Sequence, residues 1–446
     1  MKAEPVPSGR FGESSTSDWV QNVWTRFSLR SGLERAYRKA CGDDPRQVLV
    51  RLPLLAFVFV CVFDPADQIF HAKVWLFVAM WAGLCVLVYF DGDKIQIAPG
   101  LIACVLLLIS IPLLSIVWYY LVDGTEPYAG FGLFKGFLLL SIAIVLAAWR
   151  IDLMPFLSTL LVLLALLTIA VFVLLQLRPE MFPDLQQMGS NSGLVLLAER
   201  SHGEGFKFTQ VNVVTLPLLT ISIPYFFDRA MGAPGFRAKA FYLALVGISI
   251  LAMLFSGSRN LAAAALLLPF LLWPLYTGRI ILNGLISLGA LAVLSLPFVA
   301  RLRASLDPSD ISNNIKLTLL GDYAHIFRDL QTLLLGKGLG AYYRWSTSGR
   351  PEFELTGEYF YFNTELTYAE LIRYFGLFGA GIVILILLFP VAKAFLTDVS
   401  SRQRALALGW LAYLCMTATN PMLFSSTGML LLSVMLVENL SSANTN

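Results

Sequence analysis

From residue 47 onward the chain alternates long apolar runs with short polar breaks. A hydrocarbon core about 30 Å thick needs about 20 apolar residues per helix. By that measure the pattern predicts twelve spans: 47–63, 73–91, 98–122, 130–149, 153–177, 209–228, 238–256, 260–277, 280–300, 364–391, 402–418 and 421–438. The polar break Ser256-Gly257-Ser258-Arg259-Asn260 and the pair Asn420-Pro421 suit tight turns between neighbouring spans. Two connections are long, 178–208 and 301–363. Within the second, Leu319, Leu320, Tyr323, Phe327, Leu330 and Leu334 recur at helical spacing. This predicts one amphipathic helix from Lys316 to Leu335, ended by Gly336, with Asp322, His325, Asp329 and Thr332 on its other face. Near the start, Trp19, Val20, Val23, Trp24, Phe27, Leu33 and Tyr37 alternate with basic residues, as in a helix lying on an anionic membrane surface.

Lysine and arginine orient the spans. The N-terminal segment carries Arg26, Arg30, Arg35, Arg38, Lys39, Arg46 and Arg51. Placing it in the cytoplasm also puts Arg150, Arg229, Arg237, Lys239, Arg279, Lys393, Arg402 and Arg404 there. The expected organisation is a cytoplasmic segment 1–46, nine spans over 47–300 with the outer loop 178–208, a large outer loop 301–363, three spans over 364–438, and a cytoplasmic tail 439–446. The fold class is an all-α integral membrane protein of about 12 transmembrane helices with both termini cytoplasmic. No cleavable leader is read at the start, so the first span would double as the insertion signal.

Composition agrees with this pattern. Of 446 residues 57% are hydrophobic and 14% charged, against roughly 25% charged in soluble domains. That excludes a soluble multidomain enzyme and a mostly disordered chain. A net charge of +3 over this length supplies no basic stripe, and nucleic acid is not an expected partner. The five cysteines, Cys41, Cys61, Cys85, Cys104 and Cys415, show no C-x-x-C spacing. Neither a metal site nor a disulfide framework is expected.

Candidate chemistry collects on the outer side. His71, His202 and His325 fall there, with an aromatic cluster of Tyr342, Tyr343, Trp345, Tyr359, Phe360, Tyr361 and Phe362. The run Gly336-Lys337-Gly338-Leu339-Gly340 is glycine-rich but lacks the strand–loop–helix context of a nucleotide site. Glu370 and Arg373 stand three apart and can pair along one helix face.

Four features occur in a telling order: a Ser258-Arg259 turn between spans, a long outer loop with a helix leading into Gly336-Lys337-Gly338, Glu365 at the next span, and Gly376-Leu377-Phe378-Gly379 eleven positions later. This order, over about residues 250–385, resembles the superfamily of bacterial O-antigen ligases and Wzy-type repeat-unit polymerases. Elsewhere only the architecture corresponds. The ligase branch usually has histidine where this chain has Glu365, and the family arginine of the loop helix has no clear counterpart, Lys316 lying closest. The glutamate looks more like the polymerase branch.

The resemblance implies a metal-independent glycosyltransferase of the bacterial inner membrane, without cofactor, with its active site facing the periplasm. Its substrate would be an oligosaccharide repeat unit on undecaprenyl diphosphate, with a chain-length regulator as a possible partner besides membrane lipids. Glu365 would be the general base, or else a helix-start carboxylate favouring the dipole. Arg259 would hold diphosphate, or else snorkel to anchor a helix end. Arg373, Arg301, Arg303 and Lys316 are further diphosphate candidates. His325, Arg328, Tyr342, Tyr343, Trp345 and Tyr361 are candidates for substrate contact, the aromatics alternatively forming an interfacial belt. Two rival readings are an O-antigen ligase acting on lipid A core, and a transporter or flippase of lipid-linked sugar. The latter usually carries matching repeated halves, and none is seen.

Overall fold

The computed structural model describes residues 48–68, 71–91, 97–123, 128–201, 207–277, 311–341, 343–346, 358–361, 366–420 and 422–440. These are mostly helical. In chain order the helices are α1 (Val48–Phe63), α2 (Ala72–Asp91), α3 (Pro99–Asp123), α4 (Tyr128–Leu138), α5 (Ile142–Ala148), α6 (Met154–Leu177), α7 (Phe182–Ser192), α8 (Leu219–Met231), α9 (Phe236–Phe255), α10 (Arg259–Thr277), α11 (Ile311–Ile326), α12 (Leu330–Leu335), α13 (Thr367–Leu396), α14 (Ser401–Thr417) and α15 (Ser426–Leu440). Among the described residues there are also two antiparallel strand pairs, β1 (Val195–Ser201) with β2 (Lys207–Val213), and β3 (Tyr343–Ser346) with β4 (Glu358–Tyr361).

Among the described residues, seven helical stretches are long and apolar enough to cross a membrane: Ala72–Tyr89, Pro99–Val122, Gly130–Ala148, Met154–Leu177, Phe236–Phe255, Arg259–Tyr276 and Thr367–Leu396. Leu49–Phe63 and Ser426–Leu440 are apolar but shorter. The chain therefore has the helical make-up of a multi-pass membrane protein. The expected span 280–300 and the expected surface helix at 17–40 lie outside the described residues.

Three expectations need correction. The run 209–228 is not one helix. Lys207–Val213 alternates polar and apolar residues and pairs as a strand with Val195–Ser201. A 3-10 turn at Leu216–Leu218 follows, and α8 begins only at Leu219. Leu219 to Phe227 are buried without interruption, as expected of a helix apolar all round. The helix read over Lys316–Leu335 is two helices. Asp329 breaks it by capping α12, its carboxylate accepting from the Gln331 and Thr332 N–H groups at 3.3 and 3.2 Å. The last span starts at Ser426 rather than 421, because Met422–Phe424 form a turn.

One continuous apolar core runs through the bundle, from Phe57 and Met80 to Trp410 and Met435. Polar contacts mark its two ends. At one, Arg402 is bound by Asp152 at 3.1 Å and Glu438 at 3.2 Å, tying α14 to the start of α6 and the end of α15. At the other, Thr215 donates to Val62 O, and Asn260 to Thr419 Oγ1 at 3.0 Å. The candidate site lies at this second end.

Candidate functional site

The site is built around a break in α13. Gly376 adopts φ 65°, ψ 178° inside that helix, a conformation glycine tolerates and other residues resist. The break opens the helical ladder, and the carbonyls before it need other donors. Lys337 N–H donates to Arg373 O at 2.7 Å and Gly338 N–H to Tyr374 O at 3.1 Å. Ser115 Oγ of α3 donates to Tyr374 O at 3.0 Å and accepts from Leu339 N–H at 2.7 Å. Non-helical backbone at membrane depth is tolerated only where protein satisfies it, and this crossing does so. It also spends the N–H groups of Lys337, Gly338 and Leu339, which a phosphate-cradling loop would need free.

A buried ion pair sits one turn earlier. Arg373 is 0% and Glu370 2% exposed. Arg373 Nη2 and Nε donate to Glu370 Oε2 at 2.6 and 2.9 Å, and Nη1 donates to Ala341 O at 2.5 Å. Tyr323 of α11 donates its hydroxyl to Glu370 Oε1 at 2.6 Å. The guanidinium lies 4.5 Å from the Tyr374 ring centroid. Buried charges persist only when paired and hydrogen-bonded, and here both conditions hold. The three-residue spacing thus makes an ion pair. With its donors engaged this way, Arg373 orders the loop and helix rather than presenting itself as a phosphate ligand.

Beside the pair lies a cavity of about 190 Å³. Leu133, Phe137 and Phe424 form its apolar walls, and Thr367, Glu370, Tyr374 and Ser425 its polar edge. Leu339 brings the glycine-rich loop into the same wall. Phe137 and Phe424 stack at 4.9 Å. Ser425 caps α15 by accepting from Gly428 N–H at 3.3 Å. The arrangement offers a carboxylate and hydroxyls at one side and aromatic faces at the other.

The turn carrying Arg259 is at this end of the bundle. Gly257 takes φ 69° there, and Arg259 opens α10, half-buried. Asn260 beside it is bonded to Thr419, and Asn420 O of that same turn accepts from Thr367 Oγ1 at 3.1 Å. Arg259 and the cavity are therefore linked through one short turn. Lys316 is half-buried on α11, while His325 and Arg328 are exposed at that helix's end. Tyr343, Trp345 and Tyr361 stand on the β3–β4 ribbon. Glu365, Arg301, Arg303 and Tyr342 lie outside the described residues. Among the described residues no group of three His, Cys, Asp or Glu side chains is placed to hold a metal.

Sequence reasoning missed Tyr323 as a polar partner, because at helical spacing it counted as an apolar position. It missed Ser115, hidden within one of the most apolar runs. A small polar residue inside a span is the signal that would have found it.

No family model matches this chain, and no curated protein or solved structure is significantly similar to it.

Proposed function

We propose that this chain is a polytopic membrane glycosyltransferase that polymerises oligosaccharide repeat units carried on undecaprenyl diphosphate, at the periplasmic face of a bacterial inner membrane. One observation carries the reading. Two of the motifs that carry the family resemblance meet beside a cavity with a carboxylate edge: Gly336-Lys337-Gly338 donates backbone N–H groups to the Arg373 and Tyr374 carbonyls and packs against Gly376, where Gly376-Leu377-Phe378-Gly379 begins. Motifs that are weak separately are here one physical unit.

The chemistry asked of the site is modest. The bond between the anomeric carbon and the diphosphate oxygen breaks, and the lipid diphosphate leaves. A hydroxyl of a second lipid-linked unit forms the new glycosidic bond, and its proton passes to a base. Diphosphate is already a good leaving group and gains from a cation at the membrane edge. Arg259 supplies that cation, its fork suiting phosphate oxygens. Glu365, two residues before α13, is the base, a role worth about 10²–10⁴-fold in rate. Glu370, fixed by Arg373 and Tyr323, holds the acceptor hydroxyl in place. Arg301, Arg303 and Lys316 are the cations available to a second diphosphate.

The test is a gel of products made by purified protein in nanodiscs from a lipid-diphosphate-linked repeat unit. Wild type is expected to give a ladder, and Arg259→Ala and Glu365→Gln to lose it. A ladder that survives Glu365→Gln removes the base. Glycan appearing only on lipid A core makes the protein a ligase instead.

A further inference from the structure

The polar edge of the cavity is formed by Thr367, Glu370, Tyr374 and Ser425. Where the protons of these groups go decides what can enter. The Thr367 hydroxyl donates to Asn420 O at 3.1 Å, and the Ser425 hydroxyl to Met422 O at 2.6 Å. The Tyr374 hydroxyl is bonded to the Glu370 carboxylate. Glu370 itself is paired with Arg373 at 2.6 Å, and an ionised carboxylate only accepts. Among these four side chains no proton is left to give, and what they offer a ligand is oxygen lone pairs. The edge is also balanced in charge. The Glu370 carboxylate is matched by the Arg373 guanidinium, whose Nε, Nη1 and Nη2 are all engaged. A further ion of either sign would be buried there without a partner, which is strongly unfavourable.

We propose that the cavity is the subsite of the acceptor sugar and takes an uncharged ring through its hydroxyl protons, excluding acidic and amino sugars. A hydroxyl is the neutral group that can donate to an edge made of acceptors. Carboxylate, sulfate and ionised phosphate have no proton to offer and add a negative charge beside Glu370. An ammonium group can donate, but Arg373 already supplies the balancing cation. The walls fit the rest of a pyranose, whose C–H patch packs on apolar surface: Leu133, Leu339 and the rings of Phe137 and Phe424, stacked at 4.9 Å. At about 190 Å³ the space suits one ring rather than a chain. The inference rests on the glycan-transfer reading above and narrows it. The sugar whose hydroxyl attacks is neutral, while the diphosphate and any acidic sugar of the repeat unit stay outside this cavity.

The experiment is saturation-transfer difference NMR on the full chain in nanodiscs. Methyl glucoside, galactoside and mannoside are the neutral probes, the methyl glycosides of glucuronic and galacturonic acid the acidic ones, and methyl glucosaminide the cationic one. At least one neutral sugar is expected to bind saturably, with its acidic or amino counterpart weaker by about tenfold or more. Leu133→Trp, which fills the cavity from its wall, is expected to abolish the signal. Thr367→Val, similar in shape but without the oxygen, is expected to weaken it about twofold to tenfold. An acidic or amino probe that binds as well as its neutral counterpart overturns the proposal. So does silence toward all three neutral sugars, or an unchanged signal in a folded Leu133→Trp protein. The comparison among probes uses wild type alone, so it stands even where a variant fails to fold. No transfer reaction is needed, so this result and the ladder assay can fail separately.

Discussion

Gly336 passes so close to Gly376 that a β-carbon on it would stand 2.6 Å from the Gly376 nitrogen and 2.5 Å from Tyr374 O. A β-carbon on Gly376 would in turn overlap Leu334 O, in the last turn of α12. Both glycines have positive φ. Gly376→Ala therefore combines backbone strain with overpacking, together roughly 2–6 kcal/mol. Gly381→Ala, in the same helix, meets nothing within 4 Å. Thermal unfolding in detergent is expected to show a large loss for the first and a neutral or slightly stabilising effect for the second.

The Glu370–Arg373 pair makes a sharper prediction than either residue alone. Removing one partner leaves an uncompensated buried charge, at a cost of about 3–5 kcal/mol. Glu370→Leu and Arg373→Met should each destabilise strongly, while the double variant should recover much of the loss. A double-mutant cycle on unfolding measures the coupling. Strictly additive losses would mean that the two side chains do not act together.

Tyr323→Phe removes one hydrogen bond to a carboxylate and little volume, a change of about 1.5–3 kcal/mol. Its effect should be local. The helix α11 packs on α13 through a small apolar cluster of its own, Leu319, Tyr323 and Leu366, separate from the main core. Hydrogen exchange is expected to quicken across Ile311–Ile326 and stay unchanged in α12, which the loop crossing holds.

The α12 cap gives a pH signature. The Thr332 hydroxyl beside it, with the backbone N–H groups of Thr332 and Gln331 and the charge of Lys337, holds the Asp329 carboxyl below its usual range. A depressed carboxylate stabilises the fold above its unfolded value of about 3.9 and loses that contribution as pH falls through the lower folded value. Exchange protection of Leu330–Leu335 should therefore weaken below about pH 3.9, and Asp329→Asn should abolish that dependence.

Much of this architecture was legible in the chain because apolar runs bounded by polar turns carry their own length. The run 209–228 misled because a strand ending in Val211 and Val213, both buried, reads like a helix start in a hydropathy window. The split of the loop helix was hidden because Asp329 fits a polar helix face as well as it fits a cap. At the site, the spacing of Glu370 and Arg373 announced their pairing. Nothing local announced Tyr323 or Ser115, whose partners lie 47 and 259 residues away. The glycine motifs were visible as a pattern, but their reason is tertiary: a side chain on Gly336 would meet Tyr374 and Gly376, one on Gly376 would meet Leu334 and Leu335, and one on Gly338 would meet Ser115 and Tyr119.

The central claim is that the protein joins two lipid-linked glycans at the expense of one lipid diphosphate. Mass spectrometry of the purified protein's products, from two isotopically distinct undecaprenyl-diphosphate repeat units, tests it directly. The account predicts a mixed dimer on one lipid and one equivalent of released undecaprenyl diphosphate. Both units recovered intact, with label merely moved across the bilayer of a liposome, would contradict it.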